Sequence, residues 1–210
     1  LRTRRQRQMC IRDRSCNAPT RMLVPKSRHD EAITIAKSAL EKVKVGDPLD
    51  LSSNLGPLVS KNQFDKVQKL IKKGIEEGAN LVAGGTGRPN GYEKGFYARP
   101  TIFGNVSNQM VIAKEEIFGP VLVIIPYDDL EEAISIANDT IYGLAAYVTG
   151  EDQEKCLEIS RELRAGQISI NYGSSGPSAP FGGYKQSGNG REKAEWGLTE
   201  FLEVKAIMSG

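Results

Sequence analysis

The chain has 210 residues, of which 39% are hydrophobic, enough to bury the core of one globular domain with or without an extension. Its formal net charge is +2, but residues 1–14 carry six arginines and one aspartate, which leaves the remaining residues mildly acidic. Because the basic charge is confined to the N-terminus, we expect no nucleic-acid partner.

Cysteine and histidine usage limits the chemistry further. The three cysteines are Cys10, Cys16 and Cys156, at wide spacing, and His29 is the only histidine. This pattern excludes a disulfide framework and a Cys/His metal site. The sequence also lacks a run of roughly 20 apolar residues that could cross a membrane, and it lacks an apolar signal-peptide core. We therefore predict a soluble protein of the reducing cytoplasm, with no metal and no membrane partner.

The first half of the chain alternates strand-like and helix-like segments. A short strand is predicted over 20–25, followed by an amphipathic helix over 29–43. Ser60, followed three residues later by Gln63, is a capping-box signature and predicts a helix over 60–77. Further strands are predicted at 80–85, at 101–106 and, as an apolar run typical of a fully buried strand, at 120–127.

The second half continues this alternation. Asp128 is predicted to cap the next helix, and 151–166 to form another helix with Cys156 on its apolar face. A strand is predicted on each side of that helix, followed by a long glycine- and proline-rich loop over 171–192 and, after a short helix, a closing strand over 200–208. The whole pattern predicts an α/β fold with a largely parallel sheet flanked by helices.

Cys16 is the one cysteine with a candidate chemical role. A lone cysteine is usually buried and inert, but Arg14 and Arg21 are close enough in sequence to lower its thiol pKa if the fold brings them near. A cysteine protease would need a histidine base. His29 begins a helix expected to face solvent, so a cysteine protease is not favoured.

Two further stretches carry possible binding chemistry. The segment "KEEIFGPV" (114–121) is either a charged turn or a site whose carboxylates bind sugar hydroxyls while Phe118 supports a flat ring. The segment "PFGGYKQSGNGRE" (180–192) suggests a phosphate loop, but its glycine spacing and following residues do not fit a Walker motif.

Taken together, these segments resemble the C-terminal portion of the NAD(P)-dependent aldehyde dehydrogenase superfamily. The resemblance extends from residue 15 to about 208, and its motifs occur in the family's order: "SCNAPTR", "GPLVSKNQFDKV", "ARPTIF", "KEEIFGPVL", "NDTIYGLAAYV", "AGQISIN", "PFGGYKQSGNGRE" and "EFLEVK". It implies an aldehyde dehydrogenase-like catalytic domain over 15–192 and a C-terminal oligomerisation segment over 193–210, whose strand pairs with another subunit in homodimers or tetramers.

The resemblance also implies a mechanism. Cys16 matches the nucleophile, which adds to an aldehyde to form a thiohemiacetal that loses hydride to NAD or NADP and leaves a thioester for hydrolysis. Glu192 matches a second carboxylate that passes protons, and Phe181 an aromatic of the substrate tunnel. The residues matched to cofactor binding are Glu116, Phe118, Gln63 and Lys66.

The sequence also departs from the family. Asp13 and Arg14 stand where the family has Gly-Gln, and residues 1–14 are expected to be a foreign leader from a sequencing or assembly artefact. The cofactor-binding domain, with its deacylating glutamate and oxyanion asparagine, is expected to precede this portion. Two hypotheses follow: the catalytic portion of an NAD(P)-dependent aldehyde dehydrogenase, or a fragment that is inactive as written. A third, acylating or reductive chemistry on the same fold, fits the motifs less well.

Overall fold

The computed structural model describes residues 15–210, so the predictions for Cys10, Arg14 and the rest of the leader lie outside the described residues. The chain divides into two compact units, the first ending at Ile136 and the second covering Ala137–Gly210. The division does not coincide with the expected domain boundary after residue 192, which stays a prediction.

The first unit is built on a four-stranded sheet. Its strands follow the order β1-β4-β3-β2, and β4 pairs in parallel with both β1 and β3, while β2 is an antiparallel edge strand. The elements are β1 (Arg21–Pro25), α1 (His29–Glu41), α2 (Lys61–Glu76), β2 (Asn80–Ala83), β3 (Thr101–Gly104), α3 (Val111–Lys114) and β4 (Val121–Tyr127). Helix α4 (Leu130–Asn138) follows and spans the division between the units. The predicted α/β fold with a largely parallel sheet is confirmed.

The core of the first unit lies between helix α2 and the sheet. Strand β4 is buried along most of its length, as its uninterrupted apolar run predicts. Val67 and Ile71 of α2 are fully buried where the helix packs on the sheet, and Phe103 of β3 is fully buried in the same core. Helix α2 is therefore held in a fixed position, which matters because two of its polar side chains belong to the candidate site.

Two helix starts test the capping predictions. Ser60 caps α2, since its Oγ accepts a hydrogen bond from the backbone N–H of Gln63 at 3.2 Å. The prediction for Asp128 is wrong: Asp129 accepts from the N–H of Glu132 at 2.9 Å, while Asp128 forms an ion pair with Lys26 at 3.2 Å. Asp129 directly precedes the first helical residue, where a short carboxylate reaches the N–H three residues on.

The second unit is smaller and rich in loops. Strands β5 (Ala145–Val148) and β6 (Gln167–Ile170) pair in parallel, with helix α5 (Gln153–Glu162) between them in sequence. Cys156 is buried on α5, so its prediction as a core residue is confirmed. The last helix of the unit is α6 (Ala194–Thr199).

The closing strand expected over 200–208 is not present in the part of the chain that the structure describes. Beyond Thr199 the backbone forms a turn and then continues without regular structure, and Phe201, Val204 and Met208 are highly exposed. A strand needs a neighbouring strand to receive its backbone hydrogen bonds, and these residues have no such neighbour within residues 15–210.

Candidate active site

Cys16 lies in an exposed turn directly before strand β1. The backbone N–H of Ala18 donates to the carbonyl of Ser15 at 2.9 Å, which closes the turn around Cys16. The chain joins the sheet at Thr20, whose carbonyl accepts from Val123 N–H at 2.9 Å. The thiol is therefore accessible and held at the amino end of β1.

Two of the groups considered as partners of Cys16, His29 and Arg21, are bound elsewhere. The sequence suggested that His29 faces solvent, but the residue is buried. Its Nε2 accepts a hydrogen bond from the N–H of Asn105 at 2.9 Å. That nitrogen is occupied by a structural contact and cannot serve as a base. The Arg21 guanidinium donates to Asn108 Oδ1 at 2.7 Å and to the carbonyl of Ile136 at 2.9 Å.

The four residues matched to cofactor binding come together on one face of α2. Lys66 Nζ donates to the backbone carbonyl of Glu116 at 2.6 Å. Gln63 Nε2 donates to the carbonyls of Ile117 and Phe118, at 2.9 and 3.0 Å. Three successive carbonyls of the 116–118 loop therefore accept hydrogen bonds from two side chains one helical turn apart.

These bonds were not foreseen from sequence. In a full capping box the Gln63 side chain would return to the N–H of Ser60. No local pattern indicates that this side chain instead bridges to a loop more than fifty residues away.

The backbone at Phe118 is strained. Its φ is +52°, a left-handed conformation that costs an L-residue roughly 1–2 kcal/mol. Gly119 follows, where an added Cβ would come within 2.6 Å of Val67 Cγ2, so the loop lies directly against α2. Strain of this kind persists where surrounding contacts determine the conformation, and it is concentrated at functional sites.

The Cys16 turn and the 116–118 loop lie off the same end of the sheet. Strands β1 and β4 are parallel neighbours with Arg21 opposite Val123, and the turn precedes β1 just as the loop precedes β4. The side chains of Glu116 and Phe118 are exposed at this amino edge. The edge thus presents a thiol, a carboxylate and an aromatic ring to solvent.

The phenol of Tyr127, at the opposite end of β4, has its pKa raised by burial.

The second unit carries the remaining two predicted residues. Phe181 and Glu192 form an antiparallel bridge, with Phe181 N–H donating to the Glu192 carbonyl at 2.9 Å and Glu192 N–H to the Phe181 carbonyl at 2.7 Å. Lys193 Nζ lies 5.3 Å from the centre of the Phe181 ring, within the range of a cation–π contact. The bridge fixes the backbones of both residues and closes the loop between them.

Arg191 was missed by sequence reasoning. Its Nη1 donates to the carbonyls of Gly183 and Gly190, both at 2.9 Å, and so ties together the two ends of the glycine-rich segment. In the sequence, the only signal for this role was the position of an arginine directly after the last of these glycines, Gly190.

Residues 15–210 contain no group of three or more His, Cys, Asp or Glu side chains placed to hold a metal ion. Among the described helices, none is long and apolar enough to span a membrane.

Comparison with known proteins identifies the family. The model of the aldehyde dehydrogenase family matches residues 6–207, a range that includes part of the basic leader. A Staphylococcus haemolyticus protein named "Putative aldehyde dehydrogenase SH0913" is 55% identical over 192 residues, which are 91% of this chain and 40% of that protein. The chain thus spans about two-fifths of the length of the curated relatives it matches.

Solved structures support the same family. Aldehyde dehydrogenase C from Pseudomonas syringae, a mutant in complex with NAD+ and octanal, is 50% identical, with a TM-score of 0.92 over 97% of this chain and 42% of its own. An aldehyde dehydrogenase from Mycobacterium tuberculosis in complex with NAD+ is 47% identical, with a TM-score of 0.88 over 93% of this chain and 41% of its own. On this sequence and structural similarity, the chain belongs to the aldehyde dehydrogenase family.

Proposed function

We propose that residues 15–210 form the catalytic portion of an enzyme that oxidises an aldehyde to a carboxylic acid with NAD(P)+. The observation that carries this proposal is the placement of Cys16 and the 116–118 loop at the same edge of the sheet. An exposed thiol at the same sheet edge as an exposed carboxylate and ring suits covalent aldehyde oxidation with a bound dinucleotide.

Cys16 is the proposed nucleophile. Its thiolate adds to the aldehyde carbon, forming a C–S bond, and the carbonyl oxygen takes up a proton to give a thiohemiacetal. Loss of hydride from that carbon and of the hydroxyl proton leaves a thioester on Cys16. Attack by water breaks the C–S bond, releases the carboxylic acid and returns the thiol. The accessibility of Cys16 supports this role.

The residues at the sheet edge fit a dinucleotide cofactor. The Glu116 carboxylate can accept hydrogen bonds from ribose hydroxyls, and the Phe118 ring offers a face for a planar group. The strained φ of Phe118, together with the two hydrogen bonds from Gln63, supports a loop built for binding rather than a charged turn. The cofactor supplies the hydride acceptor when it is bound.

Phe181 and Glu192 are proposed to act on the substrate side. Phe181 is half-buried, and its ring is suited to line an apolar passage for the aldehyde. Glu192 is exposed, and its carboxylate is suited to exchange protons with water. Their backbone bridge supports a shared function, since it fixes the position of one relative to the other.

The C-terminal segment is proposed to form subunit contacts in a homodimer or tetramer. Phe201, Val204, Ile207 and Met208 are each more than four-fifths exposed, and apolar side chains so exposed are typical of a surface that another chain covers. Pairing with a second copy would supply the strand neighbour that residues 200–208 lack within the described part of the chain.

The proposal is tested with a hybrid in which residues 15–210 replace the corresponding region of the Pseudomonas syringae enzyme, its 50% identical relative. We expect NAD(P)H formation that depends on aldehyde, its loss in Cys16→Ala, and its retention in Cys156→Ala, the matched change of the buried cysteine. Turnover that survives Cys16→Ala would reject Cys16 as nucleophile. A preparation of the 210 residues alone is expected to react with iodoacetamide but not to reduce NAD(P)+.

A further inference from the structure

We infer that Gln63 is a positioning residue, which sets the conformation of Phe118 through the loop backbone. This inference rests on the proposed function for its catalytic consequence. Its structural part concerns Gln63, Ile117 and Phe118 alone, and it can be tested without any cofactor.

The hydrogen-bond geometry supports this role. A glutamine amide has two N–H groups, and the amide nitrogen of Gln63 donates to two acceptors, the carbonyls of Ile117 and Phe118. With both donors used in this way, the amide nitrogen has none to offer a bound ligand unless the loop is released.

The two accepting carbonyls lie on either side of Phe118. The Ile117 carbonyl belongs to the peptide plane before Phe118, and the Phe118 carbonyl to the plane after it. Holding both planes fixes the φ and ψ of the residue between them, since these are its only free backbone angles. The Gln63 side chain therefore helps to maintain the positive φ of Phe118.

Gln63 is itself firmly placed. Its backbone N–H is bonded to Ser60 Oγ at the start of α2, and Val67, one turn further along, is fully buried. On the loop side, Ile117 is buried and Gly119 lies against Val67. The two hydrogen bonds from Gln63, called the clamp below, thus connect a fixed helix to a fixed part of the loop. The exposed side chains of Glu116 and Phe118 are oriented as a consequence.

Lys66 has a lesser part in the clamp. Its ammonium is exposed and donates to the Glu116 carbonyl, which does not belong to either peptide plane that flanks Phe118. Removing this bond leaves Phe118 bracketed by Gln63.

The first test uses the 210-residue chain without cofactor and measures chymotrypsin cleavage after Phe118. Tyr172, 87% exposed and in the second unit, serves as the internal reference. Gln63→Glu and Gln63→Met both remove the N–H donors, and we expect cleavage after Phe118 to accelerate about tenfold relative to Tyr172. Gln153→Glu is the matched control, at an exposed helix start where the same change adds the same charge.

A donor-retaining variant separates positioning from general loss of structure. Gln63→Lys keeps an N–H donor, and we expect its cleavage after Phe118 to stay within about threefold of the unchanged chain. Equal cleavage of all variants and the unchanged chain would overturn the inference. So would Gln63→Lys being cleaved as fast as Gln63→Glu.

The second test measures kinetics in the active hybrid. We expect Gln63→Glu to raise KM for NAD+ about tenfold, with KM for the aldehyde and kcat at saturating NAD+ within about threefold. An unchanged KM for NAD+ would overturn the inference. If the hybrid has no activity at all, the proposed function fails, while the cleavage assay still decides the positioning role.

Discussion

Each of the two units of this chain is stabilised internally in a different way. The apolar clusters of the described residues, one against helix α2 and a smaller one against helix α1, lie in the first unit, where Phe103, Val67 and Ile124 are completely buried. Among the described residues of the second unit, the side chains that are buried are those of Cys156 and Ser160. Five of the seven described non-glycine residues with positive φ also lie in the second unit, so its backbone is less regular.

This difference shows how the candidate residues within each unit are held in place. In the first unit, a packed helix carries the side chains that hold the 116–118 loop. In the second, Phe181 and Glu192 depend on backbone bonds, on Arg191 and on close contacts between glycines. Substitutions in the two units should therefore act through different mechanisms.

The largest effect is expected from Phe103→Ala in the first unit. Phe103 has no exposed surface, and removing a buried ring costs about 3–5 kcal/mol of the free energy of unfolding. Urea unfolding followed by far-UV circular dichroism measures the loss. Cys156→Ala, the corresponding truncation in the second unit, should cost less than about 2 kcal/mol because fewer atoms are removed. Equal losses would contradict the comparison.

Gly166→Ala tests the close backbone approach in the second unit. An added Cβ would overlap the carbonyl oxygen of Gly182, and neither partner is a side chain that can move aside. We expect a loss of about 2–3 kcal/mol, seen in the unfolding transition of Trp196, the only tryptophan. Gly176→Ala is the control, since its Cβ would meet no atom within 4 Å. A Gly166→Ala variant as stable as the control would refute the glycine argument.

Arg191→Met should have a smaller effect, again in the second unit. It keeps much of the side-chain volume but leaves the Gly183 and Gly190 carbonyls without their charged donor, which costs about 1–2 kcal/mol. Hydrogen exchange of the Phe181 and Glu192 amides measures whether the loop opens more often. Unchanged exchange would mean that the bridge holds without Arg191.

The smallest effect is expected from removing the helix caps. Ser60→Ala should cost about 1 kcal/mol, because it deletes the bond to Gln63 N–H. Asp152→Ala deletes the equivalent bond to Lys155 N–H at the exposed start of helix α5. We expect Ser60→Ala, but not Asp152→Ala, to increase chymotrypsin cleavage after Phe118 as well. Equal effects of the two substitutions on that cleavage would show that the Ser60 cap does not help Gln63 to hold the 116–118 loop.

Sequence reasoning was most successful where a local pattern decides the outcome. The Ser60 cap, the buried β4 run and the burial of Cys156 were confirmed because each follows from periodicity or from neighbours in sequence. It failed where a distant partner decides: His29 is buried and bonded to Asn105, and residues 200–208 have no strand neighbour among residues 15–210. The bridge from Gln63 to the 116–118 loop belongs to the same class, since nothing near Gln63 in sequence indicates it.

The proposed chemistry at Cys16 is tested most directly by detecting its covalent intermediate. The hybrid is mixed with octanal and NAD+, quenched with acid within a turnover, and the peptide that contains Cys16 is weighed by mass spectrometry. The account predicts a gain equal to the aldehyde less two hydrogens, on that peptide only and only when NAD+ is present. Turnover with no acyl group on Cys16, or an acyl group on Cys156 instead, would contradict it.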